Sequence, residues 1–75
     1  MYWIITLYSQ NGEKVVSYKT TEEPALRASP GNGQYWELWA PLEIVFPSGQ
    51  EGRNTPRKVQ VTGFSVVVSM YKDEI

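Results

Sequence analysis

The sequence predicts a mainly β fold: a small antiparallel sheet of four to five strands, bent into a roll or small barrel, with at most one short helix. Three observations carry this expectation. Long stretches alternate apolar with polar residues at the two-residue period of a strand and are rich in β-branched and aromatic side chains. Gly, Pro and Asn cluster between those stretches. At 75 residues, the chain has interior enough for one small core, so residues 1–75 are read as a single domain.

The first element is a hairpin. Tyr2–Tyr8 and residues 14–18 are strand-like, and SQNGE between them offers Asn11-Gly12 for the positive φ angles of a tight turn. Tyr2–Tyr8 carries Trp3, Ile5 and Leu7 on one face and Tyr2, Ile4 and Tyr8 on the other. A strand apolar on both faces is expected to be covered on both.

Residues 21–28 suit one or two helical turns, with Thr20 or Thr21 as cap, Glu22 and Glu23 near the positive helix end and Pro24 in the tolerant first turn. Ser29-Pro30-Gly31-Asn32-Gly33 would end it.

Residues 34–46, QYWELWAPLEIVF, read as the longest strand. Its even positions, Trp36, Leu38, Ala40, Leu42, Ile44 and Phe46, are all apolar and form the expected core face. Its odd positions hold Tyr35, Glu37, Trp39, Pro41, Glu43 and Val45. Pro41 lacks an amide hydrogen, which places it at a sheet edge or bulge. Burying the even face gains roughly what ordering those residues costs, so the strand is viable only within a sheet and the domain gains from covering a second face. A homodimer or a standing protein partner is expected on that ground.

Residues 47–58 form a polar connection in which Arg53, Arg57 and Lys58 outnumber Glu51, and long connections in small domains tend to be functional or mobile. In the last stretch Val59 and Val61 share one parity, whereas Phe64, Val66, Val68 and Met70 take the other. A β-bulge at Gly63 would reconcile them.

The composition narrows the chemistry. Without cysteine there is no disulfide or thiolate cage, and without histidine the commonest general base and metal ligand are missing. No cofactor and no metal is expected, and the protein is read as non-enzymatic. Glu37 and Glu43 would share the outer face of one strand, but six residues at ~3.3 Å each separate them by about 20 Å, beyond the roughly 5–9.5 Å of a glycosidase pair. They are read as solvated residues that protect a sheet edge. Gly31 and Gly33 lack the lysine and serine of a phosphate-binding loop, and Gly49-Gln50-Glu51-Gly52 matches a GxxG clamp only formally. MYWIITLYS lacks a basic leader and a cleavage site, no apolar run reaches the ~20 residues of a membrane span, and a cytoplasmic location is expected.

The aromatic side chains are what remains: Trp3, Tyr8, Tyr18, Tyr35, Trp36, Trp39, Phe64 and Tyr71 exceed what a small core hides. The leading expectation is an interaction module that binds a protein, with a second copy of itself among the candidates, through Tyr35, Glu37, Trp39, Pro41 and Glu43, with Arg53 and Arg57 at the rim. The runner-up is a single-strand DNA or RNA binder that stacks bases on the same rings and grips phosphates with Arg53, Arg57, Lys58 and Lys72. Seven basic against eight acidic residues weigh against the second. In a third reading Tyr35 and Trp39 merely cover the second face of the sheet beneath a helix or loop.

Overall fold

Alternation that buries one face of a strand needs a second layer to bury it against, and here the chain supplies both layers. The computed structural model describes residues 1–28, 35–54 and 57–72. Among them every regular element is a strand: β1 (Tyr2–Tyr8), β2 (Lys14–Thr20), β3 (Ala25–Ala28), β4 (Tyr35–Trp39), β5 (Glu43–Phe46), β6 (Arg53–Asn54), β7 (Lys58–Gln60) and β8 (Ser65–Tyr71). One antiparallel sheet has the order β6-β5-β2-β1-β8, with two-residue β6 as a short addition to four longer strands, and a second has the order β3-β4-β7.

The N-terminal hairpin forms as expected, with one difference in its turn. Gly12 alone takes a positive φ, 87°, while Asn11 stays on the negative side and uses its side-chain oxygen to accept from the Ser9 hydroxyl and the Glu13 amide. The extra turn residue is absorbed by a register shift between Leu7 and Tyr8.

No helix forms at 21–28, where β3 stands instead. The Thr20 hydroxyl accepts from the Glu22 amide at 3.2 Å and donates back to the Glu22 carbonyl at 3.3 Å, closing a local turn in place of a helix cap. Leu26 then joins the inner row Leu26, Leu38 and Val59 that runs across the second sheet, a burial that a solitary helical turn would not offer.

The stretch 34–46 is not one strand. It breaks at Ala40, Pro41 and Leu42, and the chain passes from the second sheet to the first there. Pro41 therefore marks the crossover between two sheets; β4 is central in its own, and the amide hydrogen that Pro41 lacks is not missed by any ladder. Ala40 and Leu42 are buried at this crossing, and the Ala40 amide bonds the Arg57 carbonyl at 3.0 Å. The even-numbered face splits accordingly: Leu38, Ala40 and Leu42 are buried, whereas Trp36, Ile44 and Phe46 are half-buried.

Residues 47–58 are not a single loop, since the chain turns back at Pro47–Gln50 to lay β6 against β5. The phase change near Gly63 has a different cause from the expected bulge. β7 and β8 belong to different sheets, and a turn joins them in which the Phe64 amide bonds the Val61 carbonyl at 3.1 Å with Gly63 at φ 87°.

The core lies between the sheets and comprises Ile5, Leu7, Tyr18, Leu38, Ala40, Leu42 and Val61, with Trp3, Val16, Leu26, Ile44, Val59 and Val66 packed around it. On the outer face of the larger sheet, Tyr2 stacks on Tyr71 with ring centroids 5.0 Å apart and Lys19 lies 4.7 Å from the Tyr2 ring centre, so the second face of β1 is half-covered by its neighbours. No helix among the described residues is long and apolar enough to cross a membrane.

Candidate functional site

The outer face of the three-stranded sheet is built by register. Because Leu26, Leu38 and Val59 point inward, their neighbours point out: Arg27, Glu37 and Gln60 form one outer row, and Ala25, Trp39 and Lys58 the next. A carboxylate and an indole two residues apart on the central strand are thus flanked by a cation from each edge strand.

The geometry ties these four side chains together. The Trp39 indole Nε1 donates to Glu37 Oε1 at 2.6 Å. Lys58 Nζ stands 3.7 Å from Glu37 Oε2, and Arg27 Nε stands 3.9 Å from Oε1. The same cations lie over the indole, Lys58 Nζ at 5.3 Å and the Arg27 guanidinium at 6.0 Å from its centroid. Glu37 is only 5% exposed, while Trp39 is 41% exposed.

Glu37 is therefore not the solvated edge residue its place in the sequence suggested. It sits on a central strand, roofed by Trp39, Arg27 and Lys58, and a carboxylate so buried is tolerable because it is both hydrogen-bonded and charge-paired. Trp39 projects away from the core, as the odd parity implied, and neither helix nor loop among the described residues buries it. Tyr35 is exposed on the same strand, but a register shift pairs it with Ala28, the neighbour of outward-facing Arg27, so the expected row Tyr35, Glu37 and Trp39 is broken between its first two members. Arg57 next to β7 pairs with Glu22 at 3.6 Å, an exposed contact of a kind that contributes about 0–1 kcal/mol.

The remaining expected site residues lie elsewhere. Pro41 is at the crossover, and Glu43 is half-buried on β5 opposite Lys19. Arg53 is on β6, at one edge of the larger sheet, and Lys72 follows β8 at the opposite edge. Arg53, Arg57, Lys58 and Lys72 thus do not converge on one strip; of the four, Lys58 alone is opposite Trp39. Arg27 is the residue that sequence reading missed. Assigned to a helix, it had no defined face, and only its pairing with Glu37 on β4 brings it to the indole.

Gly31 and Gly33 lie outside the described residues. Among the described residues no cluster of three or more His, Cys, Asp or Glu is placed to hold a metal ion. Comparisons with protein-family models, with curated proteins and with solved structures find no match to this chain.

Proposed function

We propose that the chain is a non-enzymatic protein-binding module whose contact face is the outer surface of the three-stranded sheet, with Trp39 as its anchor. One observation carries the reading: Trp39 is 41% exposed, yet its Nε1 is bonded to a buried carboxylate and its ring is held under two cations. An exposed indole whose own polar atom is satisfied within the protein presents an apolar face in a fixed pose, which lowers the ordering cost of association. Trp, Tyr and Arg are also the residue types in which binding energy concentrates.

Arg27 and Lys58 beside that indole favour a partner segment that brings an apolar side chain flanked by Asp or Glu. Single-stranded nucleic acid fits less well, because Arg53 and Lys72 belong to opposite edges of the larger sheet and neither lies beside the indole on the smaller one.

The test compares wild type and Trp39→Ala as baits in a lysate of the native host. A defined protein held by wild type and weakened at least tenfold by a folded Trp39→Ala variant supports the reading. Equal retention by both overturns it. Saturable tryptophan quenching by an oligodeoxythymidylate that weakens steeply with added salt replaces it with the nucleic-acid reading.

A further inference from the structure

The larger sheet ends on one side with β6, a two-residue strand carrying Arg53, and on the other with β8, seven residues long. Every residue of β8 is in register with β1, from Tyr2 opposite Tyr71 to Tyr8 opposite Ser65. Its other side has no partner among the described residues. Exposed edges are ordinarily guarded by charge, proline, a bulge or brevity. Ser65–Tyr71 is SVVVSMY and has none of these.

The side chains tell the same story more sharply. Residues directly opposite in an antiparallel pair share a face, so Val66, Val68 and Met70 continue the inner row of Leu7, Ile5 and Trp3. Ile5 is 0% and Leu7 2% exposed, whereas Val68 is 40% and Met70 51% exposed one strand away. Only Val66 of this row reaches the core. The core-facing row of β8 overhangs the smaller sheet, and its apolar side chains stand in water on the side of the sheet where an interior belongs.

We infer that the free edge of β8 is the site of self-association, at which a second copy of the chain adds its own β8 antiparallel across a two-fold axis. The residues of β8 carry this choice of occupant. Outward-pointing amides and carbonyls belong to alternate residues, so two copies of one edge match only if the axis passes through a residue position. An axis at Val68 pairs all seven residues: Ser65 with Tyr71, Val66 with Met70, Val67 with Ser69, and Val68 with its own mate. The inner row then meets only apolar side chains, and the strand contains no charge to repel its copy. At the ends the same register sets Phe64 opposite Lys72, a pair suited to cation–π contact. The two five-stranded sheets become continuous, and the exposed rows of the two copies pack side by side.

This inference is independent of the Trp39 face. Sedimentation equilibrium from about 10 micromolar to about 1 millimolar spans the affinities of small interfaces of this kind. The expected result is a monomer–dimer equilibrium for wild type, unchanged in Trp39→Ala and weakened at least tenfold in Val68→Lys, which places two like charges at the axis. Amide exchange in wild-type β8 that slows with rising protein concentration is the second expected result, and it needs no variant. A monomer throughout the range, open-ended assemblies larger than a dimer, or β8 exchange that does not change with concentration overturns the inference. So does a folded Val68→Lys variant that dimerises as wild type does.

Discussion

The indole nitrogen of Trp39 donates to a carboxylate oxygen of Glu37 at 2.6 Å, two residues back along the same strand. Successive odd positions of a strand lie on one face, so the pair is set by the period of the backbone. What makes it a site is the arrival of Arg27 from β3 and Lys58 from β7, which neutralise the carboxylate that the indole roofs.

Stability should depend on Glu37 in graded steps. Glu37→Gln keeps an acceptor for the indole and removes the charge, so it is expected to cost about 1 kcal/mol or less. Glu37→Leu removes both and leaves the Trp39 donor and two cations without their partner, for an expected loss of about 1–3 kcal/mol. Urea unfolding of the two variants beside wild type measures the order; a Leu variant as stable as wild type would show that the carboxylate holds nothing in place.

The turn between the sheets should be sensitive to a single methyl group. Gly63 holds φ at 87°, and a Cβ built there meets nothing within 4 Å, so the penalty for Gly63→Ala is that of the backbone alone, about 1–2 kcal/mol. Gly63→Asn should lose less, since Asn tolerates this region better than Ala. The midpoint of denaturation is expected to fall with an unchanged denaturant slope, and a neutral Ala variant would mean that the turn does not require this conformation.

Alkaline unfolding should report Tyr18. Burial in the core raises the pKa of its phenol above the ordinary value of 10.0, because the phenolate is poorly solvated there. The unfolded chain therefore gives up this proton at a lower pH than the folded one does. The stabilisation is complete below pH 10.0 and is lost as pH climbs from that value through the raised folded pKa. Tyr18→Phe should flatten this part of the alkaline decline relative to wild type in thermal melts across that range; identical declines would exclude the phenol as its source.

Much of the local structure was legible in the residues. The turn at Gly12, the strand over Tyr2–Tyr8 and the parity that sends Leu38 inward and Trp39 outward all follow from backbone periods and from the φ freedom of glycine, which are properties of a few neighbouring residues. The candidate site was legible in part: Glu37 and Trp39 share one face, whereas a register shift sets Tyr35 opposite Ala28, and Glu43 and Arg53 belong to the other sheet.

The amino-acid sequence by itself determined a mainly β tendency, and it determined which side of its strand the exposed indole takes. Only the tertiary structure decided that the apolar stretch breaks at Pro41 into two sheets, that 25–28 extends and does not coil, and that Glu37 is roofed over and not solvated. The physical reason is the range of the interactions. Alternation and turn chemistry act over two to four residues, whereas strand order, the burial of a carboxylate and the overhang of β8 depend on which distant strand lies alongside, a choice made by closing one core between both sheets.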